Sequence, residues 1–425
     1  MSAPMLVLFT YSTAWLLYWS MAGPLTLSML PFDPRRVWKL NRAVFSVILS
    51  NFSLVPIGLS LARYRFWTMR GSPDHLTDIH YNPKRPINKL DIYIPREPAQ
   101  SIEFSSGRDG QQMREERKPL RPVIVFIYGG GWYSGSKFIY TLIGARLRSM
   151  GYLVILPDYS IYPQGKCKEM EQDVKMAIQW AYRHCMEYGG DPQKIYLMGH
   201  SAGAHLCALT VFNDSIRRTP VSLYGSPAAI SASPILTALL SEPVSDHQGE
   251  EDVLPRLRGM MLFSGVYDIP EHYRHESARG VEQISAMGRV MDNSQATFRQ
   301  HSPMFILQEL LEVSTRIDKN YPTESQTRHQ NLLRHLRSLL PIEMLVVHGN
   351  RDRIVPAKSS LDLYMELETL QLGSSAKLRI VKGMGHEEPS VALMPSFGRK
   401  APFRQLLMDE ISQFIDGNQG LRKSR

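Results

Sequence analysis

Ser201, Asp352 and His386 are the residues of this chain whose types and order could do nucleophilic chemistry. Ser201 lies at the centre of Gly199-His200-Ser201-Ala202-Gly203, a G-x-S-x-G pattern. The apolar run 195–198 precedes it and the helix-forming run 204–209 follows. That context makes the pattern a nucleophile elbow, a sharp strand-to-helix turn whose glycines let the chain pass close to itself. A serine there is exposed beside the positive end of a helix. Its hydroxyl is a poor nucleophile near neutral pH, so it needs a base to take its proton and a group to orient that base. Asp352 follows the apolar run 344–347, in the loop His348-Gly349-Asn350-Arg351-Asp352. His386 lies in Gly383-Met384-Gly385-His386-Glu387-Glu388, just past the predicted strand 378–381.

Taken singly, each residue has an ordinary explanation: a glycine turn, a turn-forming Asp, a packing His. In this order, each after a predicted strand, they read as a triad, with Ser201 the nucleophile, His386 the base and Asp352 the acid. His348 sits too near its strand to be the base and supports the Asp352 turn, while His200 and His205 flank the elbow and pack or line the pocket. Acyl transfer also needs donors for a tetrahedral oxyanion. Tyr128-Gly129-Gly130-Gly131-Trp132 ends the apolar run 123–128. The backbone N–H groups of Gly130 and Gly131, with that of Ala202, are the expected donors. Trp132 and His200 are the expected substrate-binding neighbours. A phosphate loop is the rival reading of this glycine run, but Gly135-Ser136-Lys137 breaks the Gly-Lys adjacency that such a loop requires.

The elements that must position these residues follow a strand-helix rhythm from about residue 78. Predicted strands cover 90–94, 123–128, 152–156, 195–198, 259–263, 342–347 and 377–381; the first alternates like a half-buried edge strand, and the next three are continuous apolar runs expected between two covering layers. Met170, Val174, Ala177, Ile178 and Ala181 recur at helical spacing, and further helices are expected near 358–371 and 402–415. This alternation predicts an α/β fold with a mostly parallel sheet. Residues 95–121 read as a surface loop or a partly disordered insertion. Residues 214–257 and 270–340 break the rhythm and read as a helical cap over the strand ends, where open α/β sheets place ligands.

Composition bounds the function. The 425 residues carry a net charge of +9, with 43% hydrophobic and 21% charged residues, so a real core is expected. The basic residues are scattered and no aromatic-interleaved stripe occurs, which argues against a nucleic-acid surface. Cys167, Cys185 and Cys207 are an odd number without metal-like spacing, so buried reduced thiols are expected. Neither a metal nor an organic cofactor is implied.

Residues 1–32 contain no Asp, Glu, Lys or Arg, and a second uncharged run covers 43–62. Each is long enough to span a bilayer as a helix, which takes roughly 20 residues. The region 1–70 is therefore expected to hold two candidate transmembrane helices that partner membrane lipid. The alternative is an amphipathic or buried helix pair packed on the catalytic domain. That domain is expected over 78–417, followed by a basic tail at 418–425. Asn213-Asp214-Ser215 is a candidate glycosylation acceptor if the catalytic domain is lumenal.

These motifs resemble those of α/β-hydrolase serine esterases, and more closely the isoprenylcysteine methylesterases. The resemblance covers roughly 78–415. It is carried by Gly129-Gly130-Gly131-Trp132, by 158–165, by 188–192 leading into the elbow, and by Ser264-Gly265-Val266-Tyr267-Asp268. The region 268–305, with His272, His275, Arg279 and Ser302-Pro303, is similar in order and spacing. Related esterases often begin the glycine loop with His where this chain has Tyr128, which leaves the loop's anchor to be found. The resemblance implies a membrane-anchored carboxylesterase, in the endoplasmic reticulum or Golgi, that removes the methyl ester from prenylated cysteine. Its partner would be a small-molecule or lipidated-peptide ester. The alternatives are a kynurenine-formamidase-like amidase and a catalytically silent binding module on the same fold.

Overall fold

The computed structural model describes residues 3–22, 30–52, 55–69, 72–96, 119–241, 253–315, 322–372, 376–394 and 402–417. Within them the apolar runs assemble into one eight-stranded sheet. Its strands are β1 (His75–His80), β2 (Lys89–Tyr93), β3 (Arg121–Ile127), β4 (Leu153–Pro157), β5 (Gly190–His200), β6 (Gly259–Phe263), β7 (Glu343–Gly349) and β8 (Ala376–Val381). Their order across the sheet is β1-β2-β4-β3-β5-β6-β7-β8. β2 runs antiparallel to β1 and β4, and all other pairs are parallel. The elbow strand β5 is thus central, with β3 on one side and β6 on the other.

The first helices are α1 (Ala3–Met21), α2 (Pro34–Phe52), α3 (Val55–Arg63), α4 (Thr141–Ser149), α5 (Cys167–His184), α6 (Ala202–Arg217), α7 (Pro227–Ser231) and α8 (Pro234–Ser241). They are followed by α9 (Ile269–Arg279), α10 (Met287–Val290), α11 (Gln295–Gln300), α12 (Pro303–Thr315), α13 (Pro322–Leu339), α14 (Lys358–Thr369), α15 (Glu388–Leu393) and α16 (Arg404–Asp416). Helices α4, α5, α6 and α14 pack on the sheet. Strands β4 and β6 are buried at every position, as expected for a sheet covered on both faces. The three cysteines are buried and unpaired.

Several expectations need correction. β2 is not the edge strand; β1 lies outside it, and Asp91 is buried because Lys137 Nζ reaches it at 2.5 Å. The polar residue that made the segment look half-exposed is the acid of an internal ion pair. The predicted cap at 214–257 begins inside α6, which runs on to Arg217, and continues as α7 and α8. Helices α9 to α13 fill the segment 270–340. Most of the predicted loop 95–121, the acidic cluster 250–252 and the tail 418–425 lie outside the described residues. Asn213 is 2% exposed and its amide donates to Glu171 Oε2 at 3.0 Å, so it cannot receive a glycan in the folded chain.

The two transmembrane spans are also corrected: among the described residues no helix is long and apolar enough to cross a membrane. α1 carries Thr10, Tyr11, Ser12, Thr13, Tyr18 and Ser20, and α2 opens with Arg35, Arg36, Lys39 and Arg42. The uncharged run 43–62 is divided between α2 and α3. α1 and α2 pack together instead, burying Ala14, Tyr18, Val37 and Leu40 with Ile284 of the segment after α9. Arg36 pairs with Glu282 at 2.5 Å, and Arg289 donates to the Met21 carbonyl at 2.7 Å. The hairpin is therefore seated on the segment that follows α9.

Candidate active site

Ser201 stands between β5 and α6 with φ 55° and ψ −123°, a left-handed conformation that few side chains adopt. The strain is held from several sides. The Ser201 N–H donates to the Phe263 carbonyl at 2.9 Å, and the His205 N–H donates to the Ser201 carbonyl at 3.1 Å. A Cβ at Gly199 would come within 2.7 Å of the Ala204 Cα, and one at Gly203 would overlap the Ile127 and Tyr128 carbonyls. The elbow glycines serve close backbone approach. The Ser201 hydroxyl does not cap α6. It lies 2.9 Å from His386 Nε2 instead.

His386 comes from the loop between β8 and α15, and Asp352 from the loop after β7. The two loops are tied together: the Asn350 N–H donates to the Val381 carbonyl and the Arg351 N–H to the Met384 carbonyl. His386 Nδ1 lies 2.7 Å from Asp352 Oδ2. The other oxygen, Oδ1, accepts the N–H groups of Ile354 and Val355 at 2.9 and 2.8 Å. His348 holds the acid from behind. Its Nε2 donates to Asp352 Oδ2 at 3.1 Å and to the Val355 carbonyl at 2.9 Å, which leaves Nδ1 to accept from the Ser360 hydroxyl at 2.7 Å.

The electrostatics suit a base waiting for a proton. Burial opposes the Asp352 charge, but the His386 and His348 rings outweigh it and hold the carboxyl well below the usual range. Burial likewise opposes charging of His386, yet the Asp352 carboxylate holds that imidazole above its ordinary value. The structure thus brings together the three residues expected from the sequence.

The glycine loop is anchored by tyrosines. Tyr128 donates its hydroxyl to Asp158 at 3.0 Å, and Tyr159 donates to the Tyr128 carbonyl at 2.9 Å. Tyr128 stacks between Tyr140 and Tyr159. The Tyr140 hydroxyl binds the Gly129 carbonyl at 3.2 Å, and the Ser134 hydroxyl and N–H bind the Gly130 carbonyl at 2.8 and 3.0 Å. In a trans peptide the next N–H points opposite the carbonyl. Holding these two carbonyls back therefore turns the N–H groups of Gly130 and Gly131 the other way. The Ala202 N–H opens α6 and has no acceptor within the helix. Gly130, with φ +142°, also sits where a Cβ would overlap the Ser134 carbonyl.

The two expected substrate-binding residues have structural partners. Trp132 lines the cavity, but its indole N–H donates to His205 Nδ1 at 3.1 Å, and His205 in turn donates from Nε2 to the His301 carbonyl at 2.7 Å. His200 donates from Nε2 to the His386 carbonyl at 2.9 Å, so it steadies the His386 backbone. Burial pushes both His200 and His205 down to about 4, which keeps them neutral. Lys137, the lysine of the rejected phosphate loop, is bound by Asp78 and Asp91. Among the described residues no cluster of His, Cys, Asp and Glu is arranged to hold a metal ion.

Above Ser201 opens a cavity of about 450 Å³, within the size range of small-molecule sites. Sequence reasoning missed its roof. Leu17 and Met21 of α1 and Ala43 and Val44 of α2 line it, together with His272, Glu276 and Arg279 of α9. No local pattern could assign the hairpin to this wall, because the contact joins segments more than 200 residues apart.

The fold-level comparison decides the class. The esterase B structure from Lactobacillus rhamnosis, solved with an inhibitor, aligns with a TM-score of 0.54 at 15% identity and covers 91% of this chain and 98% of that one. The chain has the α/β-hydrolase fold. A BD-FAE family match spans residues 112–310 of the chain. Its sequence resembles the probable isoprenylcysteine alpha-carbonyl methylesterase ICMEL1 of Arabidopsis thaliana, 28% identical over 338 residues, which are 79% of this chain and 55% of that protein. It also resembles esterase LipC of Mycobacterium tuberculosis, 25% identical over 308 residues, 71% of this chain and 60% of that one. The chain spans about half to two thirds of the length of the curated relatives it matches.

Proposed function

We propose that this α/β-hydrolase is a serine carboxylesterase. The observation that carries the reading is the continuous relay of Ser201 Oγ, His386 and Asp352 at 2.9 and 2.7 Å. Ser201 attacks the ester carbonyl while His386 Nε2 takes its proton. Asp352 holds the Nδ1–H tautomer and stabilises the imidazolium. The N–H groups of Gly130, Gly131 and Ala202 receive the oxyanion; one such donor is typically worth about 3 kcal/mol. His386 then protonates the leaving alcohol, and water, activated by the same base, cleaves the acyl-enzyme. A fluorophosphonate probe tests this: it labels the wild type and not Ser201→Ala. Labelling independent of Ser201 refutes the reading.

The substrate reading is narrower. An ester with a long apolar arm, such as the methyl ester of prenylated cysteine, is supported by the methylesterase relatives and by the apolar roof of Leu17, Met21, Ala43 and Val44. Such a substrate resides at a bilayer, and the outer face of the hairpin exposes Leu8, Phe9, Leu16, Trp19 and Trp38. The hairpin lies in the membrane interface rather than across it, as apolar faces flanked by Arg and Lys do. Membranes of the endoplasmic reticulum or Golgi go with this reading. Two measurements test it: turnover of N-acetyl-S-farnesylcysteine methyl ester against p-nitrophenyl butyrate, and co-sedimentation with anionic liposomes. Preference for the short ester removes the prenyl substrate, and absence from the liposome pellet removes the interface.

A further inference from the structure

The cavity has a second polar group that the triad does not use. Helix α9 presents His272, Glu276 and Arg279 to it, at spacings of four and three that place them on one helical face. Glu276 is 8% exposed, and its Oε2 has no hydrogen-bond partner. The other oxygen lies 3.7 Å from His272 Nε2, a ring that burial pushes down to about 3 and so keeps neutral. Burial raises the Glu276 carboxyl to about 7, against the opposing effects of the Ser285 hydroxyl and the charge of Arg279. Arg279, one turn on, feels the charges of Glu276 and Asp352. It makes no hydrogen bond or ion pair with either, nor with any other described residue.

A buried acceptor left without a donor is unfavourable and calls for an explanation. Here Glu276, whose carboxylate is only partly satisfied, and the unengaged guanidinium of Arg279 line the same cavity as Ser201 and His386. A lone anion would meet Glu276 and a lone cation would meet Arg279. A neutral group that both donates and accepts satisfies the two together without bringing net charge into an apolar cavity. We propose that Glu276 and Arg279 form a subsite for an amide group of the substrate, with the Glu276 carboxylate taking its N–H and Arg279 its carbonyl. This deepens the esterase reading and rests on it. The cavity then sorts its substrate by two features at once, an apolar arm under the hairpin and an amide on α9.

Three esters of one scaffold test the subsite: N-acetyl-S-farnesylcysteine methyl ester, the S-farnesyl-3-mercaptopropionate methyl ester that lacks the amide, and the free-amine S-farnesylcysteine methyl ester. The wild type is expected to prefer the first over the second by about tenfold or more in kcat/KM, mostly through KM. Glu276→Met and Arg279→Met are each expected to collapse that ratio toward one, and Arg279→Lys to restore part of it. Arg279 is partly exposed, so its variants keep the test open if Glu276→Met fails to fold. Equal kcat/KM for the first two esters in the wild type overturns the subsite and leaves the esterase standing. Preference for the free amine overturns it as well, because Glu276 would then be pairing with an ammonium. Failure of the esterase reading is seen separately, as loss of Ser201-dependent p-nitrophenyl butyrate turnover in the same preparation.

Discussion

Replacing Asp352 with Asn separates orientation from charge in the triad, and the structure determines which way the amide must face. Asp352 Oδ1 accepts two backbone N–H groups, from Ile354 and Val355. An Asn that turned its NH2 toward them would leave both buried donors unmet, at about 1–3 kcal/mol each. The carbonyl therefore stays on Ile354 and Val355, and the NH2 takes the place of Oδ2 against His386 Nδ1. His348 still has the Val355 carbonyl to bind, so it does not oppose this orientation. Facing a donor, His386 must accept at Nδ1 and carry its proton on Nε2, where it can no longer take one from Ser201. The equivalent change in serine proteases lowers kcat by about 10⁴, or about 5.4 kcal/mol. The same loss is expected for p-nitrophenyl butyrate hydrolysis by Asp352→Asn, normalised to protein whose fold is verified by circular dichroism. A fall of less than tenfold would mean that His386 does not depend on Asp352 for its tautomer, and the relay argument would be wrong.

Three further outcomes follow. Because Asp352 holds His386 above the ordinary imidazole value, wild-type kcat/KM should rise with pH through an acid limb above about 6.5; residual activity of Asp352→Asn should show that limb at lower pH, and an unmoved limb contradicts the assignment. Val44→Trp should narrow the roof and raise the preference for p-nitrophenyl butyrate over the dodecanoate about tenfold or more, whereas an unchanged chain-length profile removes the hairpin from the pocket wall. His205 and His272 are buried and neutral, with folded values of about 4 and 3 against 6.5 when unfolded. The unfolded chain therefore binds the extra protons, so stability present at neutral pH is lost as pH falls below 6.5; each ring should remove about 1.4 kcal/mol at pH 5.5, read as a lower urea midpoint than at pH 7.5.

The order Ser201, Asp352, His386 and the apolar run before each residue were legible because local rules govern them. A parallel strand covered on both faces is a short continuous apolar run, and an elbow needs small residues at fixed offsets. The strands 123–128, 195–198, 259–263 and 342–347 could be read for that reason, and so could the glycine turn 129–131 that ends the first of them. Asp91 misled because a charge in a strand looks solvent-facing unless its partner is known, and Lys137 lies far along the chain. Asn213 misled in the same way, since its motif is local but its burial against Glu171 is not.

The tertiary structure alone decided the walls of the site. Trp132 and His200 both line the cavity, yet the Trp132 indole N–H is committed to His205 and His200 Nε2 to the His386 backbone. The N-terminal helices were apolar enough to suggest a bilayer, but hydropathy counts residues without knowing their partners. Once Arg36 meets Glu282 and Ile284 packs with Tyr18, one face of that apolar surface meets protein and a cavity. Chemistry carried by short motifs can be read along the chain, whereas the shape and polarity of what the chemistry acts on arise from contacts between distant segments.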